Sequence, residues 1–572
     1  MPDPTRRQLM QATAALGIGT IAFQRALAAQ IQPDDPPKAE TRPTRVTAEM
    51  IKQAEWIAGI TLTESQREAA ATSLTGLLRR RVAAHAIPAP NGLPPVIHFD
   101  PRAGLQAGRG EAGEAKFNFD LSNLEKSPKP DAHEDLAFAG VAKLAALLRA
   151  KKVSSVELTK FFLDRLKKYD PLLFCVACFT EATAMKQAKQ ADEEIAAGRF
   201  RSLVHGIPWG AKDLIAYPGY PTAWGAEHFR KQTYDTKATV AAKLDDAGAV
   251  LCAKLSLGTL ALGDRWYGGM TRNPWDNGLG SSGSSAGSAS AVAAGLLPFA
   301  IGSETLGSII SPSTRCGVTG LRPTFGRVSR AGCMTLAWTL DKLGPFARSA
   351  EDCAIVLNVI HGADPADAPA VTEPFGWPMK RGFKELRVGY FESKKAVGER
   401  AELKVLEKLG VKLVPIKLPD RIPTDIITTI LDAEAAAAFD DITHAGVSEG
   451  IGTWGSTFRR GRFISAVDYL RANRLRGLLM REMATLMDQI DLYVAGNDLV
   501  LTNLTGHPTI NVPNGPPPAG LGSPPMLAFT GRLYGETELL SLVAAYQRET
   551  DFLKHRPKLD KLKLLPIVEK KP

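Results

Sequence analysis

The chain has 572 residues, of which 44% are hydrophobic and 23% charged, and this balance is typical of a soluble globular protein with a large core. The net charge is +10, and seven basic residues against two acids between positions 554 and 571 contribute +5 of it. The nine histidines show no metal spacing, and no phosphate loop or dinucleotide fingerprint occurs, so we expect no metal and no cofactor.

The first 28 residues are typical of a targeting segment. Arg6 and Arg7 form a twin-arginine motif, an apolar run follows over residues 12–23, and residues 26–28 read Ala-Leu-Ala, a small-x-small cleavage site. The run is too short to span a bilayer comfortably, and no other stretch approaches a membrane span. We therefore expect an exported protein, periplasmic or extracellular, without stable membrane insertion after signal cleavage.

Residues 29–130 are interpreted as a linker followed by a small helical appendage. Residues 30–45 are rich in proline and charge, Thr47 is suited to cap a first helix, and Thr63 begins a capping pattern for a second. Prolines and polar residues then continue to position 130. The sequence does not indicate the role of this segment.

From residue 131 the pattern becomes regular. Leu144, Leu147 and Leu148 form a helical stripe, and Ser154 and Glu157 form a capping box for the next helix. Short apolar runs at 174–179, 207–211, 249–253 and 297–301 alternate with helical segments, which favours a layered α/β core. The six cysteines are interpreted as core or incidental residues, because the Cys175 and Cys178 pair has no second CxxC nearby.

Two small-residue loops flank one short apolar run at the centre of the chain. Residues 278–288 read Gly-Leu-Gly-Ser-Ser-Gly-Ser-Ser-Ala-Gly-Ser, and a second small-residue turn ends at Gly307 and Ser308. A linker would stay polar, whereas small residues on both sides of a buried run let two loops converge on a reaction centre. Upstream, Lys212 ends another apolar run, although a lone lysine is by itself usually a surface charge.

Together these segments resemble the amidase signature family. Its motifs are Gly-x-Pro-x-x-x-Lys-Asp, Gly-Gly-Ser-Ser-Gly-Gly-Ser and Asp-x-Gly-Gly-Ser-Ile-Arg, and residues 206–213, 282–288 and 304–310 match them in the same order. The resemblance covers residues 131–556 as a catalytic domain and is weakest over 375–500, a region that shapes the substrate pocket in the family. It implies an α/β fold with a large mixed, twisted sheet covered by helices on both faces.

The resemblance also implies the roles of three side chains. Ser308 is the nucleophile, Ser284 relays its proton, and Lys212 is the base. A free lysine titrates near pH ~10.4, so burial must lower its pKa by roughly two to three units for the amine to be neutral. The family further implies an unusual cis peptide, which we predict between Gly283 and Ser284.

In this family the backbone N–H groups of the turn before the nucleophile stabilise the oxyanion. Here that turn is formed by Thr305, Leu306, Gly307 and Ser308. Preorganised donors of this kind contribute about 3 to 4 kcal/mol each in other hydrolases. Leu306 replaces a family glycine, so the turn carries a bulky side chain where the family has backbone freedom.

Two further positions depart from the family pattern. Glu304 replaces an aspartate, and Ile310 replaces an arginine. If the family residues at these positions pair, Glu304 has lost its partner, and Arg315 is the nearest substitute in the sequence. These departures leave open a catalytically weakened member that holds a ligand without turnover.

A rival nucleophile lies in the same stretch. Residues 283–287 fit Gly-x-Ser-x-Gly, the nucleophile elbow of α/β-hydrolases, which would make Ser285 the nucleophile with a downstream histidine such as His507. That motif requires a strand directly before it. Residues 273–280 are typical of a loop, which disfavours this alternative.

The function we expect is hydrolysis of a carboxamide through an acyl-serine intermediate. An alternative is a glutaminase of the A type found in glutamyl-tRNA(Gln) amidotransferase, but an export signal argues against it because charged tRNA is cytoplasmic. We expect a small-molecule amide substrate and no nucleic acid partner. The basic tail, residues 557–572, could contact acidic partners or a membrane surface, although we favour a solvated tail. The sequence defines neither the substrate nor the oligomeric state.

Overall fold

The computed structural model describes residues 45–58, 60–85, 91, 99–104, 116–393, 397–518 and 522–565. The chain divides into two compact units, residues 1–88 and 89–572. The predicted signal peptide, residues 1–28, lies outside the described residues, as do residues 566–572 of the basic tail.

The first unit contains two helices, α1 (Ala48–Ala58) and α2 (Glu64–His85). Thr47 caps the first through its hydroxyl, which accepts the N–H of Met50 at 3.3 Å. Thr63 and Gln66 cap the second reciprocally, each side chain accepting the N–H of the other residue. Both predicted helix starts are therefore confirmed.

The second unit opens with helices and then alternates them with strands. Its first elements are α3 (Ser122–Lys126), α4 (His133–Ala137), α5 (Val141–Arg149), α6 (Ser155–Leu173), β1 (Val176–Phe179), α7 (Glu181–Ala196), β2 (Pro208–Lys212), α8 (Thr239–Asp246) and β3 (Val250–Leu255). Two small hairpins follow, built from β4 (Arg265–Trp266), β5 (Gly269–Met270), β6 (Arg272–Asn273) and β7 (Asp276–Gly280). Residues 273–280, which we expected to be a loop, therefore form most of the second hairpin.

The central elements carry the serine-rich segments. They are α9 (Ala286–Ala293), β8 (Phe299–Glu304), α10 (Ile310–Cys316), β9 (Thr319–Arg322), β10 (Lys342–Ala347) and α11 (Ala350–Ile360). The remaining elements are β11 (Arg387–Phe391), α12 (Ala401–Lys408), β12 (Lys412–Ile416), α13 (Ile426–Ala438), α14 (Asp440–His444), α15 (Trp454–Gly461), α16 (Ala466–Gln489), β13 (Leu492–Val494), α17 (Leu499–Thr505), β14 (Thr509–Pro513), β15 (Met526–Gly531) and α18 (Glu536–Thr550).

The capping box predicted before α6 is present. The Ser154 hydroxyl accepts the Glu157 N–H at 3.0 Å, and the Glu157 carboxylate accepts the Ser154 N–H at 2.7 Å. The leucine stripe of α5 is buried as well. Local signals thus define these helices, and burial of their apolar faces holds them against the sheet.

Eleven strands form one mixed sheet in the order β1-β3-β2-β8-β10-β9-β14-β15-β13-β11-β12. β2 is parallel to both β3 and β8, whereas β10 is antiparallel to both of its neighbours. Every residue of β2, β3, β8 and β10 is buried, as in strands covered on both faces. The predicted α/β class, with a large mixed sheet covered by helices, is confirmed.

The topology places the candidate residues at one edge of the sheet. Because β2 and β8 are parallel neighbours, their carboxyl ends lie side by side. Lys212 is the last residue of β2, and Glu304 is the last residue of β8. The loop that carries Ser308 leads directly from the end of β8, whereas the loop that carries Ser284 follows β7 of the separate second hairpin.

Two terminal segments of the second unit pack more closely than their composition suggests. In residues 116–130, the Asn118 N–H donates to the Trp377 carbonyl at 2.7 Å. At the other end, Leu559 is buried, and Asn277 donates to the Lys563 carbonyl at 2.7 Å. Residues 557–565 therefore differ from the solvated tail that we expected, because apolar residues between the lysines anchor them.

Candidate active site

Lys212 is completely buried at the end of β2. Its Nζ lies 2.8 Å from Ser284 Oγ, 2.9 Å from Ser303 Oγ and 3.0 Å from Ser285 Oγ. It forms no ion pair with any carboxylate among the residues that the structure describes. Burial lowers the pKa of Lys212 to about 7, although the negative charges of Asp341 and Glu304 oppose the shift. The amine can therefore be neutral near neutral pH, as a base requires.

Ser284 lies in the loop between β7 and α9, and its side chain is buried. The peptide bond between Gly283 and Ser284 is cis, as predicted. Position 283 has no room for a side chain, because a Cβ there would lie 1.9 Å from the Gly263 carbonyl oxygen. The loop therefore needs glycine next to Ser284.

Ser308 lies on the turn between β8 and α10, and its carbonyl accepts the Ser285 N–H at 3.1 Å. This bond joins the two serine-rich loops. Gly307 adopts φ +84°, in the left-handed region that favours glycine. Within the described parts of the chain, the N–H groups of Leu306, Gly307 and Ser308 donate to no acceptor, so they are available to an oxyanion.

Glu304 forms hydrogen bonds with the residues that follow Ser308 in this turn. Its Oε2 accepts the N–H groups of Ile309 at 2.8 Å and Ile310 at 3.0 Å. Its Oε1 accepts from Arg322 Nη1 and from Asn503 Nδ2, both at 2.8 Å. Burial acts to raise the pKa of Glu304, but the positive charges of Arg322 and Lys342 lower it to about 2. The carboxylate is therefore ionised at every pH where the protein would work.

Known proteins are similar to this chain over most of its length. A family model described as Amidase matches residues 157–511. The glutamyl-tRNA(Gln) amidotransferase A subunit of Coxiella burnetii (strain RSA 493 / Nine Mile phase I) is 32% identical over 487 residues, which cover 73% of this chain and 99% of that relative. The chain belongs to the amidase signature family.

Solved structures of this family share the fold. The peptide amidase of Stenotrophomonas maltophilia is 28% identical, with a TM-score of 0.64, and the match covers 74% of this chain and 99% of that chain. A bacterial aryl acylamidase of the amidase signature family has the same TM-score and coverage at 21% identity, which shows the fold alone. Family membership supports hydrolysis of carbon–nitrogen bonds.

The partner of Glu304 is Arg322, and Arg315, the nearest substitute in the sequence, does not contact it. Arg315 reaches the Gly280 carbonyl at 3.4 Å, on the protein surface. Arg322 lies on β9, fully buried, because the antiparallel order β8-β10-β9 brings it across the sheet toward Glu304. Arg315 is nearer to Glu304 in the sequence, but only the strand order could have indicated Arg322.

Leu306 stands where the family has glycine, but this position of the turn does not need a backbone conformation that only glycine adopts easily. The left-handed residue of this turn is Gly307, and Leu306 is not among the described residues with positive φ. Its side chain packs against the apolar cluster that includes Leu340, Leu501 and Leu504. The departure at position 306 is therefore accommodated by packing.

Asp341 is a residue of the site that the sequence reasoning missed. Its Oδ1 accepts the Thr305 hydroxyl at 2.6 Å, and its Oδ2 accepts the N–H groups of Leu336 and Ala337. Burial raises the pKa of Asp341, and these hydrogen bonds oppose the shift. Asp341 directly precedes β10, whose first residue pairs with Glu304, so only the pairing of β10 with β8 could have indicated it.

Ser285 and His507 do not form the pair that an elbow nucleophile needs. Ser285 Oγ donates to the Ser303 carbonyl at 3.0 Å, whereas His507 Nδ1 hydrogen-bonds Thr505 Oγ1 at 2.8 Å. β7 ends at Gly280, so no strand directly precedes the serine. The contacts give the elbow hypothesis no support.

The described residues contain no cluster of three metal-ligating side chains. The six cysteines are free, and five of them are buried, as expected for core residues. In the parts of the chain that the structure describes, no helix is both long and apolar enough to cross a membrane.

Proposed function

We propose that this protein hydrolyses a carboxamide through an acyl-Ser308 intermediate, with Ser284 as proton relay and Lys212 as base. The observation that carries the proposal is the environment of Lys212, a buried amine 2.8 Å from Ser284 Oγ with its pKa lowered to about 7. A buried lysine without a counterion is costly to retain unless its neutral form is used.

In the first half of the reaction, Ser308 Oγ attacks the carbonyl carbon of the amide. Its proton passes to Ser284 Oγ, whose own proton passes to the lone pair of Lys212 Nζ. The oxyanion that forms is stabilised by backbone N–H groups of the turn 305–308. Collapse breaks the carbon–nitrogen bond, and the proton returns from Lys212 through Ser284 to the departing amine.

In the second half, a water molecule attacks the acyl-Ser308 ester. The same relay takes the proton of that water to Lys212, and the collapse of the second tetrahedral intermediate returns it to Ser308 Oγ. The products are the carboxylic acid and the regenerated enzyme. One lysine thus acts as base and as acid in turn, which a pKa near the working pH favours.

The test is peptide mapping by mass spectrometry after treatment of the purified protein with a broad fluorophosphonate. The proposal predicts one adduct, on Ser308, and slower labelling in Lys212→Ala. An adduct on Ser285 would favour the elbow hypothesis. No adduct in a folded protein would favour a member of the family that holds a ligand without turnover.

A second candidate is the glutaminase of an amidotransferase, because the amidotransferase subunits of Coxiella burnetii and Chloroflexus aurantiacus are 32% and 33% identical and match over nearly their whole length. Incubation with L-glutamine discriminates between the two. If the protein hydrolyses glutamine faster than simple primary and aryl amides, the result would favour the glutaminase. If it hydrolyses those amides faster than glutamine, the result favours the amidase.

We also propose that the protein is exported, on the sequence of its first 28 residues. Replacement of Arg6 and Arg7 by lysine keeps the charge but removes the twin-arginine motif. We expect the variant to accumulate in the cytoplasm with an uncleaved N-terminus, while the natural chain appears in the exported fraction with a new N-terminus near residue 29. Equal export of both would contradict this.

A further inference from the structure

Residues 556–565, a basic segment near the C-terminus, form one wall of a cavity. Leu559 is 5% exposed, and Leu562 packs against the main apolar core. The Asn277 side chain forms two hydrogen bonds with the backbone of Lys563: it donates to the carbonyl at 2.7 Å and accepts the N–H at 3.4 Å. These contacts fix the segment against the strand β7, so the wall does not depend on a ligand to form.

The cavity has a volume of about 660 Å³. This lies within the range of small-molecule sites, about 300–1,000 Å³. Part of its lining is apolar and is formed by Trp275, Pro517, Pro518 and Leu562. The Trp275 Nε1 donates to the Cys316 carbonyl at 2.8 Å, which fixes the plane of the indole ring. A flat apolar group can therefore pack against this part of the wall.

The remaining lining is strongly basic. Arg556, Lys558, Lys561 and Lys563 line the cavity, opposed by one acid, Asp276. Arg556 is paired with Asp135 at 2.6 Å. The three lysines form no ion pair or side-chain hydrogen bond among the residues that the structure describes. Three lysines without a protein partner leave the cavity with a positive charge, which a bound anion can neutralise.

We propose that this cavity binds an organic anion that carries two or more negative charges on an apolar or aromatic body. The lysines contact the charged groups, and the Trp275 wall contacts the body. Charge alone would fit a free phosphate, but the apolar wall gives an organic anion additional contact area. The site is separate from Lys212 and Ser308, so the proposal does not depend on the amidase mechanism.

The test uses 8-hydroxypyrene-1,3,6-trisulfonate, a fluorescent aromatic trianion, titrated with the purified full chain at low salt and followed by anisotropy. We expect saturable binding to one site. The Lys561→Gln/Lys563→Gln variant should bind at least about tenfold more weakly, since it loses two charge-assisted contacts. The matched control is Lys160→Gln/Lys189→Gln, which removes the same charge from exposed positions of α6 and α7 and should change the affinity less than twofold.

Several results would overturn the proposal. They are the absence of saturable binding by the natural chain, equal weakening in the control variant, and unchanged binding in the cavity variant. Thermal melts of both variants test whether unfolding causes a loss of binding. We expect unchanged melting temperatures, since all four lysines are exposed.

A competition experiment tests the apolar body of the ligand. 1-Naphthyl phosphate should displace the dye at a lower concentration than inorganic phosphate, and equal potency would refute the organic class. Displacement by a single-stranded oligonucleotide but by no small anion would indicate a nucleic acid surface instead.

Discussion

Glu304 and Arg322 form a fully buried ion pair, with 2.8 Å between Oε1 and Nη1. The same carboxylate accepts two backbone N–H groups immediately after Ser308, and Arg322 also donates to the His507 carbonyl and to Thr509 Oγ1. The pair thus joins the turn that carries the candidate nucleophile to the centre of the sheet. Stability and catalytic geometry should be coupled through it.

Replacement of Arg322 by methionine should therefore reduce both the stability of the fold and the rate of catalysis. Removing one partner of a buried pair costs about 3–5 kcal/mol, because the other charge is left without compensation. Urea unfolding should show this loss, and kcat should fall with it because the Ser308 turn loses its fixed support. Glu304→Gln/Arg322→Met should be more stable than Arg322→Met alone, since it leaves no unpaired charge. Arg315→Met serves as the control and should change the free energy of unfolding by less than about 0.5 kcal/mol.

This pair also shows the limit of the sequence reasoning. Linear motifs indicated the segments that carry Lys212, Ser284 and the Ser308 turn, and each of these segments lies within a few residues of a strand end. The partner of Glu304 could not be found in the same way. Arg322 is 18 residues away and reaches Glu304 only through the strand order β8-β10-β9.

The packed part of the basic tail escaped prediction for a related reason. Composition gave the charge of residues 557–565 but not the contacts of Leu559 and Leu562, which depend on distant segments of the core. Helix starts, in contrast, were predictable at Thr47, Thr63 and Ser154. Caps depend on residues three positions apart, so the sequence itself contains both partners.

The pH dependence of hydrolysis should follow the titration of Lys212. Its pKa is lowered to about 7, so the protonated, inactive form dominates below that pH and the neutral base above it. Since Glu304 stays ionised down to about pH 2, the value of kcat/KM should rise with pH through a midpoint near 7. Measurement with a neutral amide substrate, which does not titrate itself, gives the profile directly. An activity maximum on the acid side would contradict Lys212 as the base.

Asp341→Asn provides a second test of the same titration. The negative charge of Asp341 favours protonated Lys212, so its removal should lower the lysine pKa and move the midpoint of the profile to lower pH. The hydrogen bonds can be kept, because the amide oxygen can accept the N–H groups of Leu336 and Ala337 and the amide NH2 group can donate to the Thr305 hydroxyl. The position of the midpoint is the diagnostic readout, since loss of packing alone would reduce the activity equally at every pH.

Ser308→Ala should lower kcat by at least about 10³-fold, as removal of the nucleophile does in other serine hydrolases. The hydroxyl of Ser308 forms no hydrogen bond among the described residues, so the free energy of unfolding should change by less than about 0.5 kcal/mol. Thr314→Ser is a suitable control, because Thr314 lies on the adjacent helix and is exposed, and serine keeps the hydroxyl that Asn511 binds. A Ser308→Ala enzyme with full activity would exclude the acyl-Ser308 mechanism.

Gly283→Ala should disrupt the relay loop through backbone contact alone. The added Cβ would lie 1.9 Å from the Gly263 carbonyl oxygen, so one of the two loop segments must move. Because Ser284 is the next residue, we expect a loss of activity of about 10²-fold or more, with a destabilisation of about 1–3 kcal/mol. Gly278→Ala is the matched control in the same segment: its Cβ would meet only the exposed Asp276 carboxylate, at 3.0 Å, and the Asp276 side chain can rotate away. The measurements are steady-state kinetics and urea unfolding of both variants. Equal activity and equal stability of the two variants would show that the contact between Gly283 and Gly263 does not position Ser284.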